Sequence, residues 1–116
     1  MLDERRYTRH RPVIYLKVFQ QPDNLLIGHM VDISEHGIML VTEEKVETGE
    51  RLQLSFQPPV DAGAGEPVHF EAEVRWCRPE ANPELFDLGL RVLAPSAEYR
   101  QAMQQLTAGY VFSDTA

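Results

Sequence analysis

The chain has 116 residues, 43% hydrophobic and 25% charged, with eight prolines and seven glycines; this is the make-up of one soluble globular domain and excludes disordered, collagen-like and fibrous classes. Its longest apolar runs, such as Ile38-Met39-Leu40-Val41, fall far short of the roughly 20 residues that span a bilayer, and a single cysteine, Cys77, rules out an internal disulfide or a multi-cysteine metal site. A net charge of −7 argues against a nucleic-acid polymer or an anionic membrane as partner.

The chain opens on Met1-Leu2-Asp3-Glu4-Arg5, charged at once and without the apolar stretch of a secretory signal, so the expected compartment is the cytoplasm. Residues 1–11 set Arg5, Arg6, Arg9 and Arg11 against Asp3 and Glu4, a local charge of +2 that leaves −9 on the rest of a chain totalling −7. A basic arm precedes an acidic body. From there the signal is mostly period two. Val13 to Phe19 is a β-branched and aromatic run, and Leu25 to Ile33 and Ile38 to Thr42 are apolar-rich stretches of strand length. Leu52, Leu54 and Phe56 alternate with polar residues, as do the apolar members of Val68 to Trp76 and of Phe86 to Val92, the pattern of strands with one buried face. In this register Trp76 reads mainly as core, the lesser alternative being a ring edge that borders a ligand site.

The turn clusters between these runs, Gln21 to Asn24, Ser34 to Gly37, Glu47 to Glu50 and Pro79 to Glu84, are short, and short connections favour antiparallel neighbours. The segment from Pro58 to Pro67 reads as a surface loop, because strand pattern resumes on both sides of it. Six such strands in a small domain bury their apolar faces best by curling into a barrel or closed sandwich. Ser96 then caps a helix whose apolar positions Tyr99, Ala102, Met103, Leu106 and Tyr110 follow helical spacing. The predicted organisation is one domain over 1–116: an arm over 1–11 that is mobile, a barrel over 12–93, and a helix over 95–108 that covers one end or face of the barrel.

Two segments carry candidate chemistry. Arg5-Arg6-Tyr7-Thr8-Arg9 holds an R-x-x-x-R spacing, and guanidinium groups grip phosphates bidentately and pair with guanine edges; taken alone, such a run is a solvated charge cluster. In Asp32-Ile33-Ser34-Glu35-His36-Gly37, residues 32 and 34 project from the same face of a strand end. A carboxylate beside a hydroxyl suits the N1 and N2 donors of guanine, and Gly37 would free the backbone to turn; taken alone, the segment is an Asx or Ser turn closing a hairpin. A Ser-His-Asp triad is excluded by geometry, since strand residues two apart are separated by roughly 6–7 Å and a triad needs hydrogen bonds. His10, His29 and His69 show no metal-ligand spacing, and Gly63 and Gly65 no phosphate-binding loop. No catalytic residue, metal or cofactor is expected.

The R-x-x-x-R arm followed a hairpin later by D-x-S-x-x-G resembles the PilZ domain family, as do Val74-Arg75-Trp76-Cys77-Arg78 and the Gly89-Leu90-Arg91-Val92 run of the closing strand. The resemblance covers about residues 4–93. It implies an all-β fold, a six-stranded antiparallel barrel with a C-terminal helix. It also implies a receptor for the bacterial second messenger cyclic di-GMP, in which Arg5 and Arg9, with Arg6 sharing the work, hold phosphates and guanine edges. Asp32 and Ser34 would meet a guanine, and Gly37 would shape the turn. The arm would fold over the nucleotide, and the signal would pass to a protein partner in motility, adhesion or biofilm control. His36 before Gly37, where the family often has a second glycine, and Arg11 after the R-x-x-x-R motif, an added ligand contact or a residue that sets the arm's register, are departures. The alternative reading is a PilZ-like protein–protein adaptor that uses no nucleotide, in pilus assembly or motility.

Overall fold

A computed structural model describes residues 13–59 and 65–112. Its elements in chain order are β1 (Val13–Ile14), β2 (Leu16–Gln20), β3 (Leu25–Ile33), β4 (Gly37–Thr42), β5 (Arg51–Phe56), β6 (Val68–Pro79), β7 (Phe86–Leu93), α1 (Ala97–Gly109) and β8 (Val111–Phe112). Strands β2 to β7 close into a barrel in the order β2-β3-β4-β7-β6-β5, with every neighbouring pair antiparallel. The six-stranded antiparallel barrel and C-terminal helix expected from the sequence are therefore the fold.

Alternation builds the barrel. Val18, Met30, Leu40, Ala72, Val74 and Leu88 point inward with 0% exposure, and burying each of the larger ones contributes about 1.5–3 kcal/mol. Phe56, Phe70 and Tyr99 form an aromatic ladder with ring centroids 5.9 Å and 5.4 Å apart. The third rung belongs to α1, so the helix shares the barrel's core. Ser96 caps that helix by accepting a 3.0 Å hydrogen bond from the Tyr99 amide, Glu98 stands in the first turn where the helix dipole favours an anion, and Tyr99, Ala102 and Leu106 form the buried stripe.

The chain does not proceed from β4 to a strand beside it. Residues 43–50 instead cross the end of the barrel to β5, which pairs with β6 and β2. Gly49, at φ 92° in the left-handed region where a side chain is strained, lets this segment turn back, and its amide donates to Val74 O at 2.7 Å while Val74 N donates to Glu50 O at 2.8 Å.

Two features depart from the sequence expectation. The run from Val13 to Phe19 is not one strand: it breaks at Tyr15, whose ring stacks on His29 at 4.5 Å, and β1 leaves the barrel to pair in parallel with β8. The second is a set of register shifts at Val18/Phe19, Met30/Asp32 and Val74/Trp76. A bulge inserts one residue into one strand and re-aims the side chains beyond it, and the latter two re-aim the residues of the candidate site.

Candidate functional site

The site grows out of two bulges on strands that are not neighbours. On β3, Met30 pairs with Leu40 but Asp32 pairs with Met39, so Val31 is the extra residue. Met30 and Ile33, three apart, both face the core, and Asp32 is turned out to solvent. On β6, Val74 pairs with Leu90 and Trp76 with Gly89, so Arg75 is the extra residue. Strict alternation would have carried Trp76 inward after Phe70, Ala72 and Val74; the bulge moves it to the outer face, where it is half-buried. The expectation that Trp76 belongs to the core is thereby corrected.

The pairings place Asp32, Met39, Gly89 and Trp76 in one row across β3, β4, β7 and β6. The Trp76 ring lies flat over Gly89, where a Cβ would run into its ring atoms Cε2, Cζ2 and Nε1. This is the physical reason for a glycine in the closing strand. Arg78 sits over the same ring with its Cζ 4.0 Å from the centroid, a cation–π contact that helps to hold the indole in place.

A depression of about 260 Å³ runs along this row, and Asp32, Ser34, Gly37, Arg75 and Trp76 all line it. Asp32 Oδ1 accepts from the Ile33 amide at 2.9 Å; among the described residues its second oxygen has no hydrogen-bond partner. Ser34 N donates to Gly37 O at 2.8 Å, closing the turn, and Ser34 Oγ stands 3.4 Å from the same carbonyl. Gly37 is not in the left-handed region. A Cβ on it would lie 3.4 Å from Ser34 Oγ and 3.6 Å from Leu90 O, so its lack of a side chain leaves room at the surface and does not release a strained turn.

The turn is braced from behind. Tyr99, fully buried on α1, donates its hydroxyl to Ser34 O at 2.7 Å, and burial pushes the phenol pKa well above its ordinary value, so it stays a donor. Arg100 Nε donates to Glu35 Oε2 at 3.0 Å in an exposed ion pair, and Val92 N donates to His36 O at 3.0 Å. The helix and β7 thus anchor the Asp32–Gly37 segment.

The structure brings Asp32, Ser34 and Gly37 into one depression with Arg75, Trp76 and Met39. The arm residues Arg5, Arg6 and Arg9 lie outside the described residues, as does the expectation that the arm is mobile. Among the described residues no cluster of three or more His, Cys, Asp or Glu side chains is placed to hold a metal ion, and no helix is long and apolar enough to cross a membrane.

A closed six-stranded barrel carries a C-terminal helix on its core, and a carboxylate, a hydroxyl, a guanidinium and an indole line one outer depression; this is a small β-barrel domain with one polar-aromatic recess on its outer face. Residues 3–109 match the family model of the PilZ domain, and the chain belongs to the PilZ domain family, whose members are receptor and adaptor domains rather than enzymes. The structure of the Bacillus subtilis inhibitor of motility, MotI/DgrA, is similar, with a TM-score of 0.64 and 24% sequence identity over 84% of this chain and 48% of that one. The chain spans about half the length of that protein, and the likeness concerns the fold. No curated protein matches the sequence.

Proposed function

We propose that this chain is a receptor for cyclic di-GMP that signals to a protein partner. The observation that carries the reading is the meeting of Asp32, Ser34, Arg75 and Trp76 in one depression of a PilZ domain. An outward carboxylate accepts from the N1 and N2 donors of a guanine edge, with the Ser34 hydroxyl beside it. A base stacks on the Trp76 ring by displacing Arg78, which covers the face turned away from Gly89, and Arg75 carries a charge for the phosphates. A depression of about 260 Å³ is smaller than a typical complete ligand pocket of roughly 300–1,000 Å³, so it takes part of a dinucleotide. In this reading Arg5, Arg6 and Arg9 supply the remaining contacts and the arm changes conformation as it does so, an order–disorder switch of a known kind. In this reading the receptor works in the cytoplasm. The similar Bacillus protein is by name an inhibitor of motility, and motility control is among the outputs such a receptor serves.

The test is isothermal titration of the protein with cyclic di-GMP beside Arg9→Ala and Asp32→Ala variants shown by circular dichroism to be folded. Binding by the wild type at micromolar concentration is expected, with each variant weakened by about tenfold or more, or roughly 1.4 kcal/mol. A folded wild type that takes up no nucleotide overturns the reading in favour of an adaptor that works without one.

A further inference from the structure

A larger recess lies elsewhere among the described residues. A groove of about 530 Å³ follows β3 and β4 toward the barrel end crossed by residues 43–50. Leu25, on the groove, and Asp32, on the depression, are seven strand residues apart, or roughly 20 Å. One bank is apolar and open to water: Leu25, Leu26 and Tyr15 line it at 61%, 56% and 48% exposure. Large apolar side chains exposed side by side on a small domain mark an interaction surface. The facing bank carries Glu43, Glu44, Glu47 and Glu50 against the single cation Lys45. Among the described residues none of these four carboxylates has an ion-pair partner.

The acidic bank is built into the fold. Thr42 Oγ1 donates to Glu44 O at 2.9 Å, and the Gly49 and Glu50 backbone is held to Val74 of β6 by two hydrogen bonds of 2.7 and 2.8 Å. Like charges held close together repel, and a cationic partner relieves that repulsion while steering its own approach. The same field turns away nucleic acid, anionic lipid and nucleotide. A second copy of this chain, meeting the groove through a two-fold axis, would set the acidic bank against itself.

The geometry points to this groove as the docking surface for a basic, amphipathic segment of a partner protein, whose apolar side chains cover Leu25, Leu26 and Tyr15 and whose lysines or arginines face Glu43, Glu44, Glu47 and Glu50. The inference goes beyond the nucleotide reading and does not depend on it, because neither the groove nor its test involves the nucleotide.

The probe is a fluorescein-labelled amphipathic peptide of leucine and lysine, titrated by anisotropy in the absence of nucleotide, with a leucine–glutamate peptide of equal length as control. Amide chemical shifts of the isotopically labelled protein locate the contact. The wild type is expected to bind the basic peptide and not the acidic one, with shifts concentrated on residues 25–29 and 43–50. A Glu43→Lys/Glu47→Lys variant and a Leu25→Ser/Leu26→Ser variant should each weaken binding by about tenfold. A Glu71→Lys/Glu73→Lys variant alters the outer face of β6 by the same charge and should bind nearly as the wild type does. Equal weakening by both charge variants reduces the effect to net charge and overturns the proposal, as does loss by the charge variant without loss by the leucine variant. A dimer in sedimentation that the leucine variant dissolves assigns the groove to a second copy. Peptide binding that appears only when Arg5, Arg6 and Arg9 are replaced by alanine assigns it to the chain's own arm. Either result overturns the partner reading.

Discussion

Trp76 and Gly89 are one device made of two residues. The indole occupies the space where any other residue at 89 would place its Cβ, so the ring reaches the row containing Asp32 and Met39 only because β7 has a glycine there. Gly89→Ala is expected to lift the ring and to cost about 1–3 kcal/mol, the usual range for overpacking, read as a lower midpoint in chemical denaturation. Trp76→Ala separates site from core. It should weaken cyclic di-GMP binding by at most about 1–3 kcal/mol, the worth of a base–aromatic stack, because a stacking base first displaces Arg78 from the ring, with a stability loss below the roughly 3–5 kcal/mol of a core aromatic truncation. A loss in the core range with unchanged affinity would return Trp76 to a structural role. Asp87, on β7 opposite Arg78, has its carboxyl pKa raised, first by desolvation and then by Glu80, with Arg78 acting in the opposite sense. A raised folded-state value means that the native protein holds this proton more tightly than the unfolded chain does. The acid form is therefore favoured below the ordinary value of 3.8, and ionisation costs stability as pH rises through the folded value. Asp87→Asn should raise the melting temperature at pH 7, and the gain should shrink toward pH 3; a gain that grows on acidification would contradict the cause given.

At the scale of elements, the bulges decide which residues meet. Period-two alternation is visible in the sequence, so the strands and the inward set of Phe70, Ala72 and Val74 could be read from it. A bulge leaves no such mark, because the extra residue, Val31 or Arg75, is recognisable only once its strand has a partner to be out of step with. That is why Asp32 and Ser34 were legible, two apart at the end of a strand, while Trp76 read as core. The short parallel pairing of β1 with β8 was illegible for a related reason: two-residue strands carry no period, and their partners lie at opposite ends of the chain. The helix was legible from its spacing and its Ser96 cap, but its hold on the site was not. That hold is the bond from Tyr99 Oη to Ser34 O. Tyr99→Phe removes one buried hydrogen bond worth about 1 kcal/mol, a fall of about 4 °C in melting temperature for a domain of this size. If the helix positions the turn, the same change should also weaken nucleotide binding severalfold; unchanged affinity would make the bond structural only.

At the scale of the whole molecule, barrel and helix are one cooperative body, because Tyr99 and Leu106 of α1 have 0% exposure and Tyr99 extends the aromatic ladder begun by Phe56 and Phe70. Closure also leaves the barrel without an exposed edge strand, so its stability resides in a single core. Heating should give one transition, seen alike by far-ultraviolet circular dichroism and by Trp76 fluorescence. The depression draws on β3, β4, β6 and β7 at once and is braced by α1, so its complete geometry exists only in the folded state. A ligand that binds the folded state alone stabilises it by mass action, about 2.7 kcal/mol at a concentration 100 times its Kd, which for a domain of this size is a rise of about 10 °C. Cyclic di-GMP should therefore move the whole transition upward without splitting it, and Asp32→Ala, by weakening binding about tenfold, should cut the rise roughly in half at the same nucleotide concentration. Two transitions with only one displaced would mean that the site rests on a unit that melts by itself, and the helix would then be a separate body lying against the barrel.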